Sequence, residues 1–490
     1  MSKSFQLDTR GYTPRRNIMP FLHFVLLWGA MLHSQQSSPE RLIEQFMSEG
    51  SVPGLYVAVI KGDSIYYQQA MGFADLEKHK PMTAQTAMEF GSLSKLFTAE
   101  IILRLHFQKR IQLDDPVRKY FDGAPECWSD MSINDLLQHT SGLKNYLQDP
   151  RFQAARYFQP STDATEDANA WKGLTSDSML SLFYSLPCEF PAGQGWAYSN
   201  SGYYLLGKII ERATGETYFD HVRKNLLLPM GMNQCMSNDD AAAKGVLATG
   251  YIPTDSGMKA SRVLTGDYAL SAGGWAVTGE DMIRLLIAMN QLKLPSDAAG
   301  YDWMKEMKHH ELPFDYHGGR FFSQYKNKSI VSHNGGTPGF SSSWLHLPDE
   351  KISCILLINR QDYAAIDQLA WDLLAFYVPE LNYPAGRIHT SEAKQAEDML
   401  KQWIGYFRNR EIMPDGCTPA LKSFLTSENG KGLFEWFLSR GDPSEIHCVE
   451  VEVTGSHMRF HFRLYARHGV EYRMTAVVNA DHEWVQLLHW

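Results

Sequence analysis

Two β-rich stretches lying on either side of a long helical middle set the outline of this chain. Leu55 to Ile60 and Ile65 to Gln69 flank Lys61-Gly62-Asp63-Ser64, and Trp344 to Leu347 and Ile352 to Asn359 flank Pro348-Asp349-Glu350-Lys351. Each reads as a hairpin, because β-branched and aromatic runs are interrupted by turn residues. A helix precedes the first, with Ser38-Pro39 at its start and Leu42, Ile43, Phe46 and Met47 on one face. Another follows the second, with Ile366, Leu369, Ala370 and Leu373 on one face. The expected architecture is α+β, with helices outside the sheet-forming segments at both ends.

Pro379, Pro384 and Gly386 break the pattern, and a new one begins at Ser391. Residues 391–490 read as a small C-terminal α+β domain: helical stretches around Leu400, Trp403 and Phe407 and around Leu433 to Phe437, then an antiparallel meander. With its turn at Thr454 to His457, Val449, Val451 and Val453 should share a face with Met458, Phe460, Phe462 and Leu464, and Glu452 should oppose Arg459. At the other end, residues 1–34 carry four basic residues against one acidic, followed by the apolar run Ile18 to Leu32. That is the layout of a secretory signal. The run is too short for a comfortable membrane span. The expectation is a secreted or periplasmic product without a stable membrane span, with an uncleaved anchor as the alternative.

Net charge is −9 and no basic field stands out, which disfavours nucleic-acid partners. The six cysteines fall in no C-x-x-C or Cys/His cluster, so neither a structural metal nor a disulfide framework is expected. His309-His310 and the trio His457, His461 and His468 read as surface or strand-face residues. Gly62-Asp63-Ser64-Ile65 looks like a lipase-type serine motif, but it sits in a hairpin turn, and no Gly-x-Ser-x-Gly elbow occurs.

Three segments carry chemistry. Gly91-Ser92-Leu93-Ser94-Lys95 opens an apolar helix, so the three-residue spacing puts the Ser92 hydroxyl and the Lys95 amine within reach of each other. A lysine whose pKa is lowered by burial can take the serine proton. The same letters also fit a serine cap and a solvated lysine. Tyr198-Ser199-Asn200 stands at another helix entrance, where a phenol with its pKa lowered by cations could shuttle that proton and an amide could hold Lys95. Standing alone, the element is better explained by a core tyrosine and an asparagine cap. His333-Asn334-Gly335-Gly336-Thr337 is a glycine-rich strand edge that lets a substrate backbone approach.

Taken in this order, the three segments resemble the serine hydrolases of the class C β-lactamase and DD-peptidase type. Val52-Pro53-Gly54-Leu55, Leu113-Asp114-Asp115-Pro116-Val117, Leu137-Gln138-His139-Thr140-Ser141-Gly142-Leu143, Leu228-Pro229-Met230-Gly231-Met232 and Ala272-Gly273-Gly274-Trp275 are similar to the same family. The resemblance covers residues 38–380. It implies an antiparallel sheet flanked by helices and packed on a helical subdomain, with no cofactor and a small-molecule or peptide substrate. It further implies Ser92 as nucleophile, Lys95 and Tyr198 as proton-transfer pair, Asn200 as substrate-positioning amide, and the N–H groups of Ser92 and Gly336 as oxyanion hole beside Gly335. Histidine at 333, where class C β-lactamases carry lysine, resembles the DD-peptidase, D-aminopeptidase and esterase branches. An ordinary histidine titrates near ~6.5, so a carboxylate-bearing ligand facing it should bind better below that pH. The expected function is hydrolysis of esters or D-amino-acid-containing peptides through an acyl-enzyme. Class C-like β-lactamase activity and a non-turnover sensor of penicillin or peptidoglycan fragments are the alternatives.

Overall fold

The computed structural model describes residues 38–149, 175–307, 315–361, 365–382, 384, 386–409, 418–426, 443–454, 457–466, 471–479 and 484–489. Its first hairpin, β1 (Gly54–Lys61) and β2 (Ser64–Asp75), continues into β3 (Lys80–Pro81). Three short strands, β4 (Ala87–Glu89), β5 (Met236–Ser237) and β8 (Trp275–Thr278), form a sheet of order β4-β8-β5, and β6 (Tyr251–Thr254) pairs with β7 (Gly257–Ala260). Then come β9 (Tyr316–His317), β10 (Arg320–Tyr325), β11 (Lys328–Thr337), β12 (Phe340–Leu347) and β13 (Ile352–Ile358). The main sheet is antiparallel, in the order β3-β2-β1-β13-β12-β11-β10-β9. Its seam is β1 against β13, Leu55 opposite Ile358 through Lys61 opposite Ile352, so the two distant hairpins close on each other at the centre.

Central position explains why β1 is apolar on both faces. Leu55, Val57 and Val59 pack with Ile43, Phe46, Ile366, Leu369 and Trp371 beneath the helices Pro39–Glu49 and Ala365–Tyr377. Tyr56, Ala58 and Ile60 point the other way, into the larger core shared with the helices Lys95–Phe107, Asn200–Thr214 and Gly279–Asn290. The expected α+β architecture, with an antiparallel sheet, flanking helices and a helical layer, is what the chain adopts. Gly62 sits in the first hairpin turn with φ +62°, in keeping with the turn reading of Gly62-Asp63-Ser64-Ile65.

Among the described residues one disulfide, Cys127–Cys188, joins residues 61 apart, where the cysteine spacing signalled none. Cys235, Cys354 and Cys448 are buried free thiols; Cys417 lies outside the described residues.

Beyond the helix Ser391–Asn409, β14 (Pro443–Thr454), β15 (His457–Ala466), β16 (Glu471–Val478) and β17 (Trp484–His489) form a four-stranded antiparallel meander. Glu452 faces Arg459 as expected. The shared face holds for Val451 and Val453, opposite Phe460 and Met458, but not for Val449: a register shift between Cys448 and Glu450 turns it away from Phe460 and Phe462, into the core containing Tyr325 and Trp371. An extra residue in one strand reverses every side chain before it. Ile446 and Cys448 take that place beside Phe462 and Leu464, and Val453 is 74% exposed. His461 is a buried strand-face residue, its Nδ1 2.8 Å from Thr475 Oγ1 and its Nε2 3.6 Å from Glu452. The tail also grips the β10–β11 turn: Tyr325 Oη donates to Glu450 Oε2 at 2.8 Å and the Lys326 N–H to Glu452 Oε1 at 2.7 Å. Leu433 to Phe437, His309-His310 and His468 lie outside the described residues.

Candidate active site

Gly91 turns the chain out of β4 with φ +58°, and a Cβ there would stand 2.9 Å from Gly336 N. Only glycine permits both the left-handed backbone and that approach. The 3-10 turn Gly91–Ser94 then leads into the helix Lys95–Phe107, leaving Ser92 partly exposed at the entrance and Lys95 fully buried. Lys95 Nζ lies 3.0 Å from Ser92 Oγ, 2.8 Å from Asn200 Oδ1 and 2.7 Å from the Ala272 carbonyl. Burial holds its pKa well below the lysine range. A neutral amine has two N–H groups and one lone pair. With two carbonyl oxygens taking the N–H groups, the lone pair is left for the serine hydroxyl.

Asn200 is free for this role because Ser199, not Asn200, caps its helix: Ser199 Oγ accepts the Gly202 N–H at 3.3 Å. Asn200 Nδ2 donates to Asn145 Oδ1 at 3.4 Å. The Tyr198 ring lies 4.9 Å from Lys95 Nζ, and its hydroxyl is buried with Ser92 as polar neighbour. The expected lowering of its pKa does not occur. Burial pushes the phenol up, the Ser92 contact only partly offsets this, and the hydroxyl stays protonated at any working pH. Tyr198 thus stands in the site as a neutral phenol.

On the opposite side stands β11. Its pairing with β10 ends at Ser332 opposite Phe321, so among the described residues no strand covers the outer edge of His333 to Thr337. A Cβ on Gly335 would meet Phe90 O and Ser342 Oγ at 2.4 Å and Ser92 N at 3.2 Å, whereas one on Gly336 would meet nothing within 4 Å. Gly335 thus lets the strand approach the Ser92 turn, and Gly336 borders open space. His333 is buried, with Nδ1 2.6 Å from the Asn334 carbonyl and Nε2 3.2 Å from Tyr316 Oη. Burial, with Lys95 nearby, pushes its pKa down to about 3. It does not titrate near 6.5, and its ring supplies no cation above pH 5.

Sequence reasoning assigned no role to three neighbours. His139, in left-handed conformation at the end of the helix Ile133–Gln138, lies with its ring centroid 4.3 Å from that of Tyr198, the rings tilted by 42°, and accepts the Ser199 N–H through Nδ1 at 3.1 Å. The Ala272 carbonyl anchors Lys95, and Tyr316 anchors His333. Two of the three sit in stretches already singled out, while Tyr316 stands in none. Among the described residues no group of three or more His, Cys, Asp or Glu is placed to hold a metal ion.

Comparison with known proteins gives one family: the beta-lactamase model matches residues 39–378. Penicillin-binding protein 4* of Bacillus subtilis (strain 168) is 27% identical over 353 residues, 69% of this chain and 75% of that protein. A D-aminopeptidase of Brucella anthropi is 25% identical over 376 residues, 73% of this chain and 64% of its own length, so the match spans less than two thirds of that relative. Among solved structures, the octameric penicillin-binding protein homologue from Pyrococcus abyssi aligns with TM-score 0.60 at 20% identity over 91% of this chain and 96% of its own. The D-amino acid amidase from Ochrobactrum anthropi SV3 aligns with TM-score 0.57 at 21% identity, over 70% and 99%. The two structures share this chain's fold.

Proposed function

This chain belongs to the beta-lactamase family, and from that premise we infer that it is a serine hydrolase acting through an acyl-enzyme on Ser92, with esters or D-amino-acid-containing peptides as substrates. The observation that carries the reading is the three-way setting of Lys95 Nζ between Ser92 Oγ, Asn200 Oδ1 and the Ala272 carbonyl. In the proposed cycle the Ser92 proton passes to the neutral Lys95 amine as Oγ bonds to the substrate carbonyl carbon. The N–H groups of Ser92 and Gly336 receive the oxyanion. As the tetrahedral intermediate collapses, Tyr198 gives its proton to the leaving group and recovers one from the Lys95 ammonium. Water then repeats the sequence on the acyl-enzyme.

Substrate backbone adds along the open edge of β11, in the manner of a strand joining a sheet. His333 brings no positive charge to that edge, which supports esters and peptides over penicillins, whose carboxylate seeks a cation. Residues 1–34 as a secretory signal and 391–490 as an accessory domain belong to the same proposal. The Cys127–Cys188 disulfide fits an oxidising compartment.

The test is covalent. A fluorophosphonate should add one adduct by intact mass to the wild type and none to Ser92→Ala, and the same variant should lose turnover of a nitrophenyl ester. Ester hydrolysis that survives in Ser92→Ala would refute the mechanism.

A further inference from the structure

Three residues ahead of Ser92, at the end of β4, a carboxylic acid is buried with no role in the cycle above. Glu89 is 1% exposed. Its Oε1 accepts the Leu264 N–H at 2.9 Å, while Oε2 meets no well-formed hydrogen bond. The Thr337 hydroxyl, equally unsatisfied, lies beside the carboxyl. These contacts reach the three pieces of backbone that frame the reaction. Glu89 itself leads into the Ser92 turn through Phe90, whose N–H is tied to the Trp275 carbonyl and whose carbonyl accepts from Ser342 Oγ. Thr337 directly follows Gly336 on the open edge of β11. Leu264 enters the segment Gly266–Gly273, which delivers the Ala272 carbonyl to Lys95.

We propose that Glu89 is a positioning residue for Ser92, which as an uncharged acid clasps the nucleophile turn to the Gly336 strand and to the Ala272 segment. The proposal rests on the serine-hydrolase reading above. A protonated carboxyl can accept from the Leu264 N–H through one oxygen and donate to the Thr337 hydroxyl through the other. A carboxylate can only accept, and it would carry charge into a site where Asp239 of the helix Asn238–Ala243 already acts on it as a like charge. Burial raises the pKa of Glu89 to about 8. The clasp is therefore intact at neutral pH and lost as pH rises through that value. Lys95 works in the opposite direction, since lowering the pH protonates it and removes the base. The two groups thus govern opposite limbs of the profile.

The experiment follows the rate of fluorophosphonate labelling of Ser92 between pH 6 and 10 in wild type, Glu89→Gln and Glu89→Ala, with thermal unfolding over pH 5 to 9. Glutamine keeps the donor and acceptor but cannot ionise. Glu89→Gln should keep the neutral-pH rate within about threefold and lose the alkaline decline, which in the wild type should exceed tenfold by pH 10. Glu89→Ala should label at least tenfold more slowly at neutral pH. The sign in unfolding is independent of catalysis. An acid whose folded pKa lies above its unfolded value stabilises fully below the unfolded pKa, and that contribution is lost as pH rises towards the folded one. The wild-type Tm should therefore fall relative to Glu89→Gln by at least ~3 °C across that range. An unchanged alkaline limb in Glu89→Gln, or parallel Tm curves, overturns the role of Glu89 even if Ser92 labels. A wild type that never labels overturns the hydrolase reading, and the Tm comparison still judges Glu89.

Discussion

The two walls of the site handle buried polar groups in opposite ways. On the helix side, Lys95 has two contacts to fixed carbonyl oxygens and a third to the Ser92 hydroxyl, the nucleophile of the proposed cycle. On the strand side, both ring nitrogens of His333 are taken up inside the protein, one by the Asn334 carbonyl and one by Tyr316. Burial lowers the pKa of both groups. For the lysine this leaves a neutral amine, the base of the proposed cycle; for the histidine it removes a charge and leaves a neutral surface. The same physical cause thus gives one wall the reactivity that the proposed cycle uses and the other its shape. What separates them is whether the last partner of the buried nitrogen is a reactant or a piece of scaffold.

The sharpest way to break this contrast is Lys95→Arg. Arginine keeps the positive charge but cannot act as a base, so if Lys95 is the base the rate on a nitrophenyl ester should fall at least ~100-fold, as for loss of a general base. A near-normal rate would show that charge alone suffices. Tyr316→Phe comes next. It strips one hydrogen bond from His333, a loss of ~0.5–1.5 kcal/mol, so kcat/KM should fall about two- to tenfold, mainly through KM. A collapse of kcat instead would place the strand wall in the chemistry. The smallest effect is expected from pH on His333→Phe: because His333 titrates at about 3, the ester pH–rate profile between pH 5 and 8 should keep the wild-type shape. Loss of an acid limb in that variant would make His333 a titrating participant after all.

What the sequence made legible follows from which interactions are local. The Ser92–Lys95 spacing, the two hairpins and the Glu452–Arg459 register are set by neighbours a few residues apart, and period and turn chemistry report them directly. The rest depends on burial or on backbone. The Ala272 carbonyl leaves no side-chain signature, and Tyr316 reaches His333 only because β9 to β11 fold side by side. The direction of the Tyr198 shift could not be read without knowing how deeply its hydroxyl sits, because cations and desolvation act in opposite senses on a phenol. A single added residue at Cys448–Glu450 was enough to send Val449 to a different core.

The grip of the tail on the β10–β11 turn has a consequence for how the molecule opens. β11 is ten residues long, with Lys328 beside the turn held by Glu450 and Glu452 and Gly336 near its other end. At ~3.3 Å per residue the two ends are roughly 30 Å apart along one unbroken strand. In the language of native-state exchange, the meander and this edge of the main sheet should open as one cooperative unit. Amide protons at Val331 and Ser332 should then be released together with those of β14, and later than those of the exposed hairpin at β2. A chain cut near Pro384 would keep Ser92 and Lys95 but strip the Tyr325 hydroxyl and the Lys326 N–H of the carboxylates that hold them. Its first sign of loosening would be faster deuterium uptake in β11, ahead of any change around the buried lysine.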